Sequence, residues 1–311
     1  MGSRFILIKL GRALLTMWLV VTFAFVALRA TGDPIETMLG DQADPEVVAH
    51  YSALYGFDRP IYEQYLRYFV GIARADFGIS IADDRPVVAV IAEALPATVE
   101  LALTSLIVAL LIGVPLGIVA ALNRNKAVDR FVMTFAVLGF SIPNFFLGIL
   151  LILVFSMWLR VLPSSGVGTV WHLIMPAITL GTAIAGSLAR FTRSSMLDVL
   201  NQHYMRTAAA KGVPRNRRIV LHALPNAAIP LLTVLGFRLG DLVAGSIIVE
   251  TVFAWPGVGR LLVSSVTRRD LAVVQGVLIW AAFTMVVANL AVDLLYGWID
   301  PRVRAATKAR A

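Results

Sequence analysis

Apolar positions in this chain neither alternate nor stay on one helical face. They run on without a polar break. Six stretches are apolar over the roughly 20 residues needed to cross a hydrocarbon core. They are Leu10–Leu28, Ala97–Leu122, Phe131–Leu159, Val170–Leu188, Ala227–Phe253 and Val274–Trp298. The pattern predicts six transmembrane helices. The first run is too long for a signal-peptide core and no small-residue cleavage site closes it, so it reads as a retained helix. Between the first two stretches the pattern changes. In YEQYLRYFVGIARADFG the residues Ile61, Tyr65, Tyr68, Phe69 and Ile72 recur at helical spacing. This predicts short amphipathic helices packed on the outer ends of the spans.

Breaks in the apolar runs add detail. Pro115, Pro143, Pro176 and Pro230 fall inside spans. Such kinks are tolerated where neighbours satisfy the freed carbonyls. GVPLG (Gly113–Gly117) and GFRLG (Gly236–Gly240) fit the small-xxx-small pattern of closely packed helices. A packed bundle is expected, divided into an N-terminal helix (1–29), an extracytoplasmic segment (30–96), a five-helix core (97–298) containing a cytoplasmic loop (189–226), and a tail (299–311).

Composition agrees: 59% of the 311 residues are hydrophobic and only 15% charged, against about a quarter charged in soluble domains. There is no cysteine. That excludes a disulfide framework or a thiolate site, and four scattered histidines argue against a metal centre. The net charge of +8 gains meaning from its placement. The N-terminus (Arg4, Lys9, Arg12), the second-to-third loop (Arg124, Lys126, Arg130), the fourth-to-fifth loop (Arg190, Arg193, Arg206, Lys211, Arg215, Arg217, Arg218) and the tail (Arg302, Arg304, Lys308, Arg310) hold 17 of 27 basic residues. With six spans these lie on one side, which the positive-inside rule makes cytoplasmic. The 30–96 segment on the opposite side holds 11 acidic and four basic residues. Both termini are expected inside, and the charge is topogenic and lipid-facing, with no nucleic-acid role.

The cytoplasmic loop Ala189–Asn226 is long for a connection with no task. RSSMLDVLNQHYMRTAAAKG is helix-forming, with Ser194 or Ser195 as a cap at its start. Lys211, Gly212 and Pro214 form a helix stop. A second short helix is predicted from Pro214 or Arg215 to Leu224. Thr207–Ala210 is a patch of small residues that lets another protein's surface come close; its basic neighbours equally suit anionic lipid.

Here the residues carry a resemblance. In permeases of ABC importers this loop reads Glu-Ala-Ala, three residues, Gly, nine residues, Ile, one residue, Leu-Pro. Ala208, Gly212, Leu224 and Pro225 match that spacing, while Arg206, Thr207 and His222 replace Glu, Ala and Ile. These departures resemble the dipeptide, oligopeptide, nickel and glutathione permeases. TGDP (31–34), DFGIS (76–80), LPATVELA (95–102), SIPNFFLG (141–148), RFTRSSMLDVL (190–200), VETVFAWPGVGRLL (249–262) and NLAVDLLYGWIDPRVR (289–304) extend the resemblance over nearly the whole chain. The sequence thus resembles an inner-membrane permease subunit of a peptide/nickel-type ABC importer. The resemblance implies an all-α membrane protein with six transmembrane helices, the type I ABC importer permease fold, and a periplasmic segment after helix 1. It implies that the hairpin is a coupling helix seated on a cytosolic ATPase, with Tyr204, Arg206, Thr207, Ala208, Ala209, Ala210, Lys211 and Gly212 at the contact. Implied partners are a second, homologous and non-identical permease subunit, two ATPase subunits and an extracytoplasmic binding protein that supplies selectivity. The cargo is a di- or oligopeptide, or glutathione or a nickel chelate.

Polar residues inside the spans are the candidates for the pathway. Arg238 lies 12 residues into the fifth span and Asp241 three residues on, on the same face. They either line the path or neutralise each other between packed helices. Glu250 precedes FAWPGVG, whose Pro256–Gly257 turn is either a gate-flanking loop or a structural turn anchored by Trp255 at the interface. Asn144, beside Pro143, either lines the path or bonds a carbonyl freed by the kink. Asp293 reads as a packing residue.

No Gly-x-x-x-x-Gly-Lys-Ser/Thr phosphate loop occurs, so the chain is not expected to be an enzyme, to hydrolyse ATP itself or to hold a cofactor or metal. DFG at Asp76–Gly78 lacks every other part of a kinase. A secondary transporter should show inverted repeats and buried ion-coupling carboxylates, and an intramembrane enzyme a catalytic constellation at membrane depth. Neither pattern is present.

Overall fold

The computed structural model describes residues 3–30, 44–55, 58–80 and 82–299, and of residues 3–6, 28–30, 51, 54–55, 229, 232–234, 236–245 and 291–299 the backbone alone. The TGDP stretch and the basic tail lie outside the described residues. The same holds for the side chains of Arg238, Asp241 and Asp293 and for the GFRLG contact.

The described chain is helical, apart from one isolated bridge between Ile79 and Pro86. Its helices are α1 (Ser3–Ala30), α2 (Pro45–Tyr55), α3 (Ile61–Ala73), α4 (Val87–Leu122), α5 (Ala127–Ser141), α6 (Asn144–Leu151), α7 (Val170–Leu200), α8 (His203–Ala210), α9 (Arg215–Arg218), α10 (Leu224–Val252), α11 (Val258–Thr267) and α12 (Leu271–Ile299). Leu7–Ala27, α4, α7 and Leu271–Leu290 are each long and apolar enough to cross a membrane. α5 and α6 with its continuation to Trp158 together make a further candidate, bent by 100°. α10, 29 residues long, covers the stretch assigned to the fifth span.

The bend follows from Pro143. Proline disfavours helical backbone at the preceding residue, and here Ile142 is extended at φ −75°, ψ 123°. α6 then restarts with Leu147 N–H donating to the Pro143 carbonyl. The kink expected at SIPNFFLG is thus a full break. α6 passes into a π-helical segment, Ile152–Trp158.

α7 is the hub. Two thirds (67%) of its apolar window is buried, against 17% in α1. It is packed so closely because its neighbours present backbone. A Cβ on Gly113 would come within 2.7 Å of the Ala185 carbonyl oxygen, and one on Gly117 within 2.5 Å of that of Ala189. Gly181 of α7 returns the same contact at 2.8 Å to Ser105. Ser105, Ala109, Gly113 and Gly117 recur every four residues, so α4 lays one small-residue stripe along α7, as GVPLG predicts. Gly186 packs against the Ala136 backbone of α5 on another face.

α4 is 36 residues long, about 54 Å at 1.5 Å per residue. It therefore extends well beyond a core of about 30 Å, and it runs unbroken through the boundary expected at residue 96. Its outer end meets α11 and α12 through Val87, Ile91, Val258, Val273 and Val277. α3 packs on α1 as its periodicity predicts. Tyr65 meets the Phe25 ring edge-on at 5.3 Å and shares a 2.8 Å hydrogen bond with Thr22. Asp270, 2% exposed, accepts from the Ser80 hydroxyl and from the amides of Ala82 and Val273. It caps α12 and ties the DFGIS turn to it.

Candidate coupling helix and loop clamp

The segment 189–226 is less of a loop than its sequence suggests. α7 continues as one helix to Leu200, so Ser194 and Ser195 sit inside a helix and cap nothing. The break comes at Asn201–Gln202, where Gln202 is extended at ψ 150°. The physical reason is packing. Met196, Leu197, Val199 and Leu200 carry an apolar face that keeps burying against α4, and the helix ends where that face ends.

α8 then runs over His203–Ala210. Its stop is as predicted. Gly212 stands at φ +77°, its amide donates to Ala209, and the Val213 amide donates to Ala208. This pair of bonds is the Schellman closure, and the left-handed position in it favours glycine. The second arm begins at Arg215 after Pro214, as predicted, but does not end at Leu224. α9, a π-helical turn (Ile219–Ala223) and α10 follow without interruption. Pro225 has no N–H to give and crowds the carbonyl four residues back, and a π-turn is a common way to absorb such a defect within a helix. The second arm is thus rigidly continuous with a membrane helix.

Of the predicted contact residues, Tyr204 is 43% exposed. Arg206, Thr207, Ala209, Ala210, Lys211 and Gly212 are exposed as well, and Ala208 is half-buried. Met205, which the sequence did not single out, is the buried one, at 5% exposure. It enters a cluster with Ala121 of α4, Met196 of α7, and Ala223 and Ala227 at the start of α10. One side chain therefore seats α8 on the ends of three long helices. A methionine in a polar run was the available signal.

Arg193 is more than a topogenic charge. It makes a bidentate pair with Asp129 of α5, Nε to Oδ1 at 2.6 Å and Nη2 to Oδ2 at 2.7 Å. Asp129 is 3% exposed and also accepts from the Asn125 amide. The pair spans 64 residues of sequence, so no local pattern announces it.

Glu250 is fully buried. Its Oε1 accepts from Thr98 at 2.8 Å and its Oε2 from the Arg260 amide at 3.0 Å. Thr98 in turn accepts from the Val258 amide. A Cβ on Gly257 or Gly259 would collide with this carboxylate. Trp255 is not an interface anchor: it is 3% exposed, and its Nε1 donates to the Ala97 carbonyl at 2.8 Å. The FAWPGVG turn is thereby clamped onto α4. Asn144 is half-buried at the α6 start, and its side chain bonds no carbonyl among the described residues.

The arrangement provides an exposed short helix locked to membrane helices on one side and a clamped turn joining α10 to α11 on the other. The comparisons with known proteins agree. Residues 113–305 match the family "Binding-protein-dependent transport system inner membrane component", and residues 2–102 match the N-terminal family of the same membrane components. The chain is 45% identical over 285 residues to the glutathione transport system permease protein GsiC of Salmonella paratyphi A, covering 92% of this chain and 93% of that protein. The Escherichia coli protein of the same name is 44% identical over the same length. Among solved structures, the MetNI methionine ABC transporter in an inward-facing conformation aligns with a TM-score of 0.58 at 19% identity, over 68% of this chain and 97% of that one, a likeness of fold. The chain belongs to the inner-membrane components of binding-protein-dependent transport systems, as a membrane permease of the peptide/nickel-type ABC importers.

Proposed function

We propose that this chain is one half of the pore of an ATP-driven importer of short peptides, with glutathione the first cargo to test because the relatives at 44–45% identity are named for it. The observation that carries the reading is the Tyr204–Gly212 helix, exposed outward yet fixed inward through Met205 to α4, α7 and α10. A rigid short helix transmits a rigid-body displacement that a loop would absorb. In this reading the chain crosses the membrane six times with both termini in the cytoplasm, and residues 30–96 lie outside. ATP is hydrolysed by two separate subunits docked on the coupling helices. A second, homologous permease closes the path, and an external binding protein delivers the cargo. Asn144, Arg238 and Asp241 are the pathway candidates, while Glu250 serves as the clamp its bonding supports.

The test is uptake by the complete transporter in proteoliposomes, with binding protein outside and ATP inside. Accumulation of labelled glutathione, competed by dipeptides and abolished without ATP, is the expected result. Uptake that proceeds without ATP on an ion gradient overturns the importer reading. ATP-driven uptake of a nickel chelate alone would move the cargo away from peptides.

A further inference from the structure

A cleft of about 160 Å³ opens beneath the coupling helix. Its walls are Ala121 and Leu122 at the end of α4, Leu200 at the end of α7, Met205 of α8, and Arg215, Arg218 and Ile219 of the second arm. At roughly 30 Å³ per water, it has room for a small polar group of several heavy atoms. Its chemistry is one-sided, with an apolar floor and two guanidinium groups. No carboxylate pairs with either arginine among the described residues, and the buried Nε of Arg218 has no hydrogen-bond partner. Two arginines lining one cleft without a carboxylate partner among the described residues favour an acceptor from outside this chain. Beside it, Val220 and Leu221 stand 59% and 54% exposed on the same arm, in the π-turn that leads into α10. An apolar edge next to paired arginines is the pattern of a headgroup site between membrane helices.

We propose that this cleft binds the phosphodiester of an anionic phospholipid, with Arg215 and Arg218 on the phosphate and the acyl chains leaving along Val220 and Leu221. Arginine's planar fork suits phosphate oxygens. The lipid would brace Met205 and the coupling helix from below. The inference rests on the cytoplasmic placement of α8.

The assembled transporter is placed in nanodiscs of phosphatidylcholine with increasing phosphatidylglycerol, and bound lipid is counted by native mass spectrometry. Wild type is expected to retain phosphatidylglycerol, and Arg215→Gln with Arg218→Gln to weaken it by about 25-fold, roughly fivefold per arginine. Arg217→Gln, whose side chain is outside the cleft, is expected to bind like wild type. Equal loss in the double variant and in Arg217→Gln would reduce the effect to diffuse surface charge and overturn the site. Inorganic phosphate added to the phosphatidylglycerol nanodiscs is expected not to displace the bound lipid; if it does, a soluble anion is the ligand. Loss of the ATPase subunits from the double variant with lipid binding intact would assign the arginines to a partner carboxylate instead. Lipid counting needs no transport, so its failure is distinct from failure of the importer reading, and an impermeant-label test of Lys211→Cys checks the cytoplasmic placement of α8 separately.

Discussion

At Glu250 one carboxylate holds the Thr98 hydroxyl and the Arg260 amide. Glu250→Ala would leave both without this partner, at about 1–3 kcal/mol each. A fall of the detergent-solubilised melting temperature by several degrees is expected, with Glu250→Gln intermediate. An unchanged melting temperature in the alanine variant would show that the turn is not held by this group. Met205 invites a different measurement. Met205→Ala removes buried packing of about 2–5 kcal/mol from the seat of a short helix. Basal ATPase activity of the assembled complex should persist while transport per ATP falls severalfold. Transport at the wild-type ratio would mean the seat does not transmit.

At the scale of elements, the coupling helix depends on its Schellman closure at Gly212, φ +77°. A side chain in left-handed backbone costs roughly 1–2 kcal/mol, more when β-branched. Gly212→Val is expected to leave membrane insertion intact and to separate ATP hydrolysis from uptake. Normal uptake would refute the coupling assignment. The α4–α7 seam is the second element-level feature. Gly113→Leu and Gly117→Leu would each drive a side chain into the α7 backbone, and overpacking of this kind costs about 1–3 kcal/mol or more. Lower yields of folded protein and earlier thermal unfolding are expected, whereas Gly11→Leu, where a Cβ meets nothing within 4 Å, should behave like wild type.

For the whole molecule, the disposition across the membrane is the property to measure. The chain contains no cysteine, so a single introduced thiol reports its own side. A membrane-impermeant maleimide should label Asp84→Cys from outside intact cells and Lys211→Cys only after lysis. The reverse pattern would invert the topology and with it the ATPase docking. The same whole-molecule view explains why two readings of the 189–226 loop coexist. Its outward face is exposed, and its inner cleft is lined by two arginines.

Much of this was legible in the chain because it is enforced locally. Long apolar runs, glycines at four-residue spacing, the helix stop at Gly212 and the proline at 143 each act within a few turns of helix. The sequence therefore determined the helical class, the bundle seam and the position of the short helix α8. Tertiary structure decided what depends on partners far along the chain. It paired Arg193 with Asp129, buried Glu250 and Trp255 against α4, sank Met205 among three helices, and carried α7 past the predicted cap at Ser194 or Ser195. These outcomes have one cause. A buried polar group or an apolar face must find a complement, and which segment supplies it is fixed only when the helices are packed.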